Sequence, residues 1–277
     1  MKRKLTYPIL LLLLMAGGCK KAEQANNQET KSNLLASLPL KEMEWPALGH
    51  TATLNYNGDG TLAEIVYQRP GISEKRSFGH GWNGIAFVAS TQSLAFNSFD
   101  YDPTSRKIAK MERIIGDAQT ARVYQSQRFG YNNFLQLTSL KFYNENAAGA
   151  TLRSTTNYQY VSTLVSEITI VDQFGNQRLI KIDQYSDEFD FDPLWFMEME
   201  IGTLAPLYNL PILQHLASRH RLPSSFKIFK LENGQSILEK EYVIDYTIAN
   251  RRLEKQVTSV KDHIASMSSA LEVVFKY

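Results

Sequence analysis

One short unit recurs along this chain and restricts what it can fold into. It reads aromatic, any residue, Tyr, a turn of five or six residues, then two aliphatic residues with two others between them. Five segments carry it. They fit it loosely: "LNYNGDGTLAEI" from Leu54 (with Leu in the aromatic place), "FDYDPTSRKIAKM" from Phe99, "FGYNNFLQLTSL" from Phe129, "YQYVSTLVSEI" from Tyr158 (with a shorter gap), and "IDYTIANRRLEKQV" from Ile244 (imperfect at its end). Residues two apart share one face of a strand, so each unit is strand, tight turn, strand, with both bulky side chains on the same face. Gly, Asn, Asp and Pro supply the turns. Chains built from such units form antiparallel meanders.

The first unit has a rival explanation. Asn55, Asn57, Asp59 and Gly60 stand at the spacing of the first ligands and turning glycine of a calcium loop. The first ligand is not a carboxylate, and the twelfth position, which needs a bidentate Glu, is Val66. The flanks alternate as strands do, where a calcium loop needs helices. Asn57 to Gly60 therefore turns the chain, with Tyr56 and Leu62 on the packed face and Asp59 in water.

Two further hairpins are legible. "SFKIFKLENGQSILEKEYVIDY" turns at Asn233-Gly234, the strongest short-range hairpin cue, and "TIVDQFGNQRLIKIDQY" turns at Gly175-Asn176. "ALEVVFKY" makes a last strand. One region differs. In Phe189–Pro223, Asp192-Pro193 reads as a helix start, and Asn209 with Pro211 starts a second helix of roughly eleven residues, with Pro223 at its end. Leu210, Leu213, Ala217 and His220 would share its face, while "FMEMEI" also alternates as a strand would. The expected fold is mainly β: a long antiparallel meander of roughly ten to fourteen strands, curled into an open or partial barrel, with a short helical insertion near 193–221. A membrane-spanning barrel is disfavoured, because strands such as "RLIKIDQY" put charges where a lipid-facing band should be continuous.

The N-terminus is set apart. Lys2, Arg3 and Lys4 precede an apolar run that is about half of a membrane span, and Ala16, Gly17 and Gly18 lead into Cys19, the single cysteine. The arrangement resembles a bacterial lipoprotein signal, with Ala16 where leucine is usual. It implies a signal peptide at 1–18, a lipidated Cys19 with a flexible tether over 19–37, and one β-rich domain over 38–277. Lys20 rather than Asp after the cysteine favours the outer membrane by analogy with sorting in such bacteria. The face of that membrane is left open. A polar tether of this length reaches roughly 20 Å. Losing the signal takes the formal charge from +2 to −1. A nearly neutral chain has no electrostatic footprint for nucleic acid. No cysteine is left for a disulfide.

Few residues point to chemistry. Asp187, Glu188, Asp190 and Asp192 could hold a cation or form an acid–base pair, though a solvated acidic loop is the commoner origin of such a run. His215 and His220 lie too far round a helix to share one metal, and His50, His80 and His263 have no metal-spaced partner. "GHGWNG", Gly79–Gly84, lacks the Lys of a phosphate loop and reads as a turn displaying Trp82. No nucleophile elbow occurs. The 14 Tyr and 14 Phe either build a core or line a groove for an apolar ligand.

On the Cys19 signal, "FDYDPTSRKIAKM", "LNYNGDGTLAEI" and the late "DP…LYNLP…LASRHRLPSSFKI", the chain resembles Bacteroidetes-type lipoproteins of unknown function with a porin-like antiparallel β-meander. The units also look like the YD-type repeats of secreted toxins and wall proteins, but are few and irregularly spaced. The resemblance implies a curled, soluble meander and carries no catalytic residue. The expected function is a non-catalytic cell-envelope lipoprotein, a binding or scaffolding module held to the membrane through Cys19, with an apolar ligand or an envelope protein as partner and no cofactor. Its rivals are a carrier of a lipid or other apolar ligand, and an envelope hydrolase using Asp187–Asp192.

Overall fold

The structure is a computed structural model that describes residues 39–116, 120–199 and 204–277. The signal, the tether and Cys19 lie outside the described residues, as does Ile201 at the end of "FMEMEI". Among the described residues the strands are β1 Glu42–Trp45, β2 His50–Tyr56, β3 Leu62–Arg69, β4 Ile72–Gly81, β5 Gly84–Ser90, β6 Ala95–Tyr101, β7 Ile108–Ile115 and β8 Arg122–Tyr131. They continue as β9 Leu137–Asn146, β10 Gly149–Val161, β11 Leu164–Asp172, β12 Gln177–Tyr185, β13 Pro223–Glu232, β14 Gln235–Ala249, β15 Arg252–Asp262 and β16 Met267–Lys276.

Every strand pairs antiparallel with its sequence neighbours, and β1 pairs with β16 through Met43↔Phe275, so the sheet is a closed barrel of sixteen strands. The expected open or partial barrel of ten to fourteen strands is thus wrong in both closure and number. Closure removes the two exposed edges that an open meander would leave. The four-residue β1 is not among the strands read from sequence, whereas "GHGWNG", read as a turn displaying Trp82, does join β4 to β5 and leaves Trp82 93% exposed.

All five recurring units are strand, turn, strand, spanning β2–β3, β6–β7, β8–β9, β10–β11 and β14–β15. In the first, Tyr56 pairs with Leu62 and Gly60 takes φ +84. Exposed Asp59 accepts from Thr61 N at 3.0 Å, making a turn of what could pass for a metal loop. Asn233 and Gly234 both have positive φ, the signature of the tight hairpin turn that Asn-Gly forms.

The helical insertion connects β12 to β13. It contains a 3-10 segment, Pro193–Met199, and one α-helix, α1, Leu210–Ala217. Asp192 Oδ1 accepts from Leu194 N at 2.9 Å and starts the first, as its place before Pro193 predicts. The helix is shorter than expected, and His220 lies beyond it at φ +54. Asn209 precedes the helix but does not cap it with its side chain, which donates to Gln127 Oε1 on β8 at 3.0 Å. The reason is where the helix lies. Leu210, Ile212, Leu213 and Leu216 are at most 3% exposed, and the insertion reaches the inner faces of β8, β10, β14 and β16 through Asn209–Gln127, Pro206–Tyr158, Phe189–Tyr246 and Phe196–Phe275. It is a plug inside the barrel. A barrel of eight strands is filled by its own side chains, whereas one of sixteen leaves a channel unless something else enters it.

Inside and outside are chemically opposite. Inward positions near the plug are apolar, for example Leu54, Ile65, Ile168, Ile180 and Phe226. Outward positions carry ion pairs, among them Lys181–Glu167 at 3.5 Å and Lys255–Glu272 at 2.8 Å, with Lys75–Glu64 beside them. Lys181 lies in "RLIKIDQY", between inward Ile180 and Ile182. A lipid-spanning barrel needs a continuous apolar outer band ~25 Å tall, and this outer face interrupts one with charge. Among the described residues no helix is long and apolar enough to cross a membrane.

Candidate functional site

Even-numbered strands all run toward one end of the barrel, where odd-numbered strands begin. At that end an aromatic side chain near the finish of each even strand donates to a carbonyl at the start of the odd strand before it. Tyr56 Oη donates to Leu40 O at 2.8 Å, Tyr101 to Ile85 O at 2.9 Å, Tyr131 to Ile108 O at 2.8 Å and Tyr160 to Leu137 O at 2.8 Å. Tyr185, Tyr246 and Tyr277 do the same to Val165, Pro223 and Leu253 at 2.7, 2.9 and 3.1 Å. On β4, His80 takes the place, with Nε2 carrying the proton to Leu62 O at 2.7 Å. Seven tyrosines and one histidine thus ring this end. Burial pushes the Tyr101 and Tyr277 hydroxyls up to about 12 and raises the other five tyrosines as well.

The five recurring units supply Tyr56, Tyr101, Tyr131, Tyr160 and Tyr246. Sequence reading missed Tyr185, Tyr277 and His80. The cue was present in "IDQY" and "VFKY", where an aromatic ends an alternating run, but neither is followed by a tight turn and second strand. β12 leads into the plug, and β16 ends the chain at Tyr277.

The plug enters at the ringed end. Ser186 N donates to Leu222 O at 2.8 Å and Phe189 N to His220 O at 2.9 Å, forming its neck. His215, on α1, has Nε2 on Thr163 O at 3.0 Å in the β10–β11 turn, and its ring meets Tyr160 edge-on. Burial lowers its pKa, the hydrogen bond to Thr163 opposing, so the imidazole is held neutral.

The acidic run does not form a catalytic centre. Glu188 pairs with Arg221 and Arg251, each at 3.5 Å, and Asp190 takes the Arg251 guanidinium, closest at 2.9 Å, with His220 Nδ1 at 3.3 Å. Asp187 is exposed. Asp192 is half-buried as the 3-10 cap, where desolvation raises its pKa against the hydrogen bond from Leu194. Glu188 and Asp190 share the Arg251 guanidinium, while Asp187 faces water and Asp192 starts the 3-10 segment, so the run is divided between an ion-pair cluster and a cap. Among the described residues no three metal-binding side chains converge.

What the barrel does offer is space in its open half, beyond the plug. One cavity of about 310 Å³ lies between the plug and the inner faces of β1–β3, β15 and β16. Leu204, Tyr208, Tyr67 and Val273 form its depth, Trp45 and Leu271 its walls, and His50, Arg69 and Leu48 stand toward its mouth. A second, of about 490 Å³, lies on the opposite side of the plug and is more polar, with Gln127, Ser154, Thr156, Arg178 and Asn209 about Phe142. Arg178 Nε bonds Glu239 Oε2 at 3.1 Å on its wall. Both volumes fall at the lower end of the range of small-molecule pockets, ~300–1,000 Å³. Of their lining residues, sequence reading singles out only His50, as a histidine without a metal-spaced partner, and Asn209, as a helix start, because the positions come from strands far apart in the chain.

No protein-family model matches this chain, and no curated protein matches it in sequence. Solved structures do. A porin-like protein from Bacteroides uniformis superposes with TM-score 0.51 at 14% identity, over 86% of this chain and 96% of that one. Another porin-like protein, from Bacteroides vulgatus, gives TM-score 0.52 at 10% identity, over 87% of this chain and 99% of that one. The likeness shows a shared porin-like β-barrel fold.

Proposed function

We propose that this protein is a non-catalytic lipoprotein of the cell envelope that binds a ligand in the open half of its barrel. The observation that carries the reading is a sixteen-stranded barrel with its own plug inside it and cavities left between the plug and the inner wall. The charged outer face argues for a barrel bathed in water and held to the membrane by its anchor. Cys19 supplies that anchor in this reading. Its support is the basic start, the apolar run and the small residues before it. More than one acyl chain on such a cysteine gives stable attachment. The outer membrane follows from Lys20 after the cysteine. The domain division at 18 and 37 belongs to the same proposal. An envelope protein remains a candidate partner for the ion-paired outer face.

Three measurements test it. Radiolabelled palmitate should enter the wild-type protein and not Cys19→Ala, and the protein should fractionate with the outer membrane; label retained by the variant would refute the anchor. In planar bilayers the purified protein should give no stepwise conductance, and discrete channel openings would replace binding by permeation. Compounds captured from envelope extracts should be released chemically unchanged.

A second reading, a carrier for an apolar ligand, is favoured by the smaller cavity. Its depth is walled by Trp45, Tyr67, Tyr208, Leu204, Leu271 and Val273, so the inner face is not wholly filled by side chains.

A further inference from the structure

We infer that the larger cavity is a saccharide site that takes a short neutral glycan between Phe142 and the start of α1. This rests on the reading of the open half as a binding chamber and names a ligand class for it. Two rows of paired residues make its wall. Gln127, Phe142 and Ser154 lie side by side across β8, β9 and β10, and Leu140, Thr156, Ile170 and Arg178 do so across β9 to β12. Ala205, Pro206 and Asn209 of the plug face them. Phe142 and its aliphatic neighbours give an apolar patch, flanked by polar groups from β8, β10, β12 and the plug. A sugar ring has the matching form, an apolar C–H face with hydroxyls that radiate from its rim in several directions.

Charge selects the class. Arg178 is the one ionisable side chain among the described residues that line this cavity, and its Nε already donates to Glu239 Oε2 at 3.1 Å. A charged ligand therefore finds no uncompensated partner there. The side-chain amides are less fully used. Asn209 Nδ2 donates to Gln127 Oε1 at 3.0 Å, but the reciprocal bond is not made. Asn209 is 5% exposed, and its Oδ1 is buried without a hydrogen-bond partner among the described residues. A hydroxyl is donor and acceptor at once. Set beside this pair, with a small turn of the Asn209 amide, it donates to Oδ1 and accepts from Gln127 Nε2, and so satisfies a buried acceptor. Ser154 and Thr156 add two hydroxyls of the same double capacity. An acyl chain would instead lay methylenes against these amides and hydroxyls and leave them unbonded. The volume, about 490 Å³, suits one or two sugar rings. The smaller cavity, walled mainly by aromatic and aliphatic side chains, lacks this arrangement.

The test uses the mature chain from residue 19 with Cys19→Ser, so that no attached acyl chain interferes. It is applied to an array of neutral disaccharides and trisaccharides printed beside their uronic-acid and sulfated counterparts. At least one neutral glycan should be retained, and more strongly than its charged counterparts. Calorimetric titration with that glycan should show one site. Gln127→Leu and Thr156→Val should each weaken it about tenfold. If either variant does not fold by circular dichroism, a diazirine-bearing form of the same glycan answers the question on the unaltered chain, and it should crosslink to peptides containing Phe142, Ser154 or Asn209. Retention of no neutral glycan, equal or stronger retention of the charged counterparts, unchanged affinity in either folded variant, or crosslinks elsewhere would each overturn the inference. Those failures leave the binding-module reading standing with another ligand. A glycan recovered cleaved would overturn the non-catalytic reading instead.

Discussion

The two ends of this barrel are made by the same strands and behave as different objects. At the ringed end, seven tyrosines and His80 tie each hairpin to the strand before it, and the plug's neck and α1 lock onto the same turns. At the other end the inner wall carries Glu74, Arg76, Arg178 and Glu239, and the plug stops short of it, leaving cavities. One end spends its inward positions on packing and hydrogen bonding. The other keeps inward positions polar and partly open to water. A β-meander can thus place stability and binding at opposite rims, because inward side chains at different heights along a strand are independent of one another.

Alkali offers the harshest way to break the comparison. The ring tyrosines have folded pKa values raised by burial above an unfolded value near 10. Their contribution is therefore complete below about pH 10 and is lost as pH rises toward about 12, where Tyr101 and Tyr277 titrate in the folded state. Cooperative unfolding is expected between about pH 10 and 12, with tyrosinate absorbance rising in the same step; tyrosinate appearing in a barrel that stays folded would show the hydroxyls to be accessible.

A smaller break comes from the plug. Phe196 is fully buried against Phe191 and Phe275, so Phe196→Ala should cost about 3–5 kcal/mol in urea unfolding. The matching change at the open end, Leu271→Ala, faces a cavity and should cost distinctly less. Equal losses would mean that the two ends are equally packed. Next, Tyr131→Phe keeps the ring and removes one hydroxyl from Ile108 O, for about 0.5–1.5 kcal/mol. The smallest effect belongs to the outer wall. Lys181→Ala breaks the exposed pair with Glu167 and should change stability by about 0–1 kcal/mol, less in high salt. A large loss there would point to a partner or a bilayer against that wall.

Much of this was legible in the residues. Tyr56, Tyr101, Tyr131, Tyr160 and Tyr246 announce hairpins because alternation and turn chemistry are local, acting over a dozen residues. Asn233-Gly234 sets a turn by backbone sterics alone, and Asp192-Pro193 starts a helical segment through an equally local side-chain hydrogen bond to Leu194 N. The reading of Asn55–Val66 as a strand-turn-strand unit needed only ligand count, spacing and the alternation of its flanks. The helical break before Pro223 was visible, although its place inside the barrel was not.

The sequence by itself determined an antiparallel meander with a helical interruption, because strand alternation, turn conformations and helix starts are decided between near neighbours. Only the tertiary structure decided that Met43 pairs with Phe275, that Tyr131 reaches back to Ile108, that Asn209 bonds Gln127 in place of capping its helix, and that Arg69, Tyr208 and Val273 share one cavity. Each of those contacts joins residues far apart in the chain. Whether they form depends on the number of strands and the closure of the whole sheet, which no single stretch of sequence encodes.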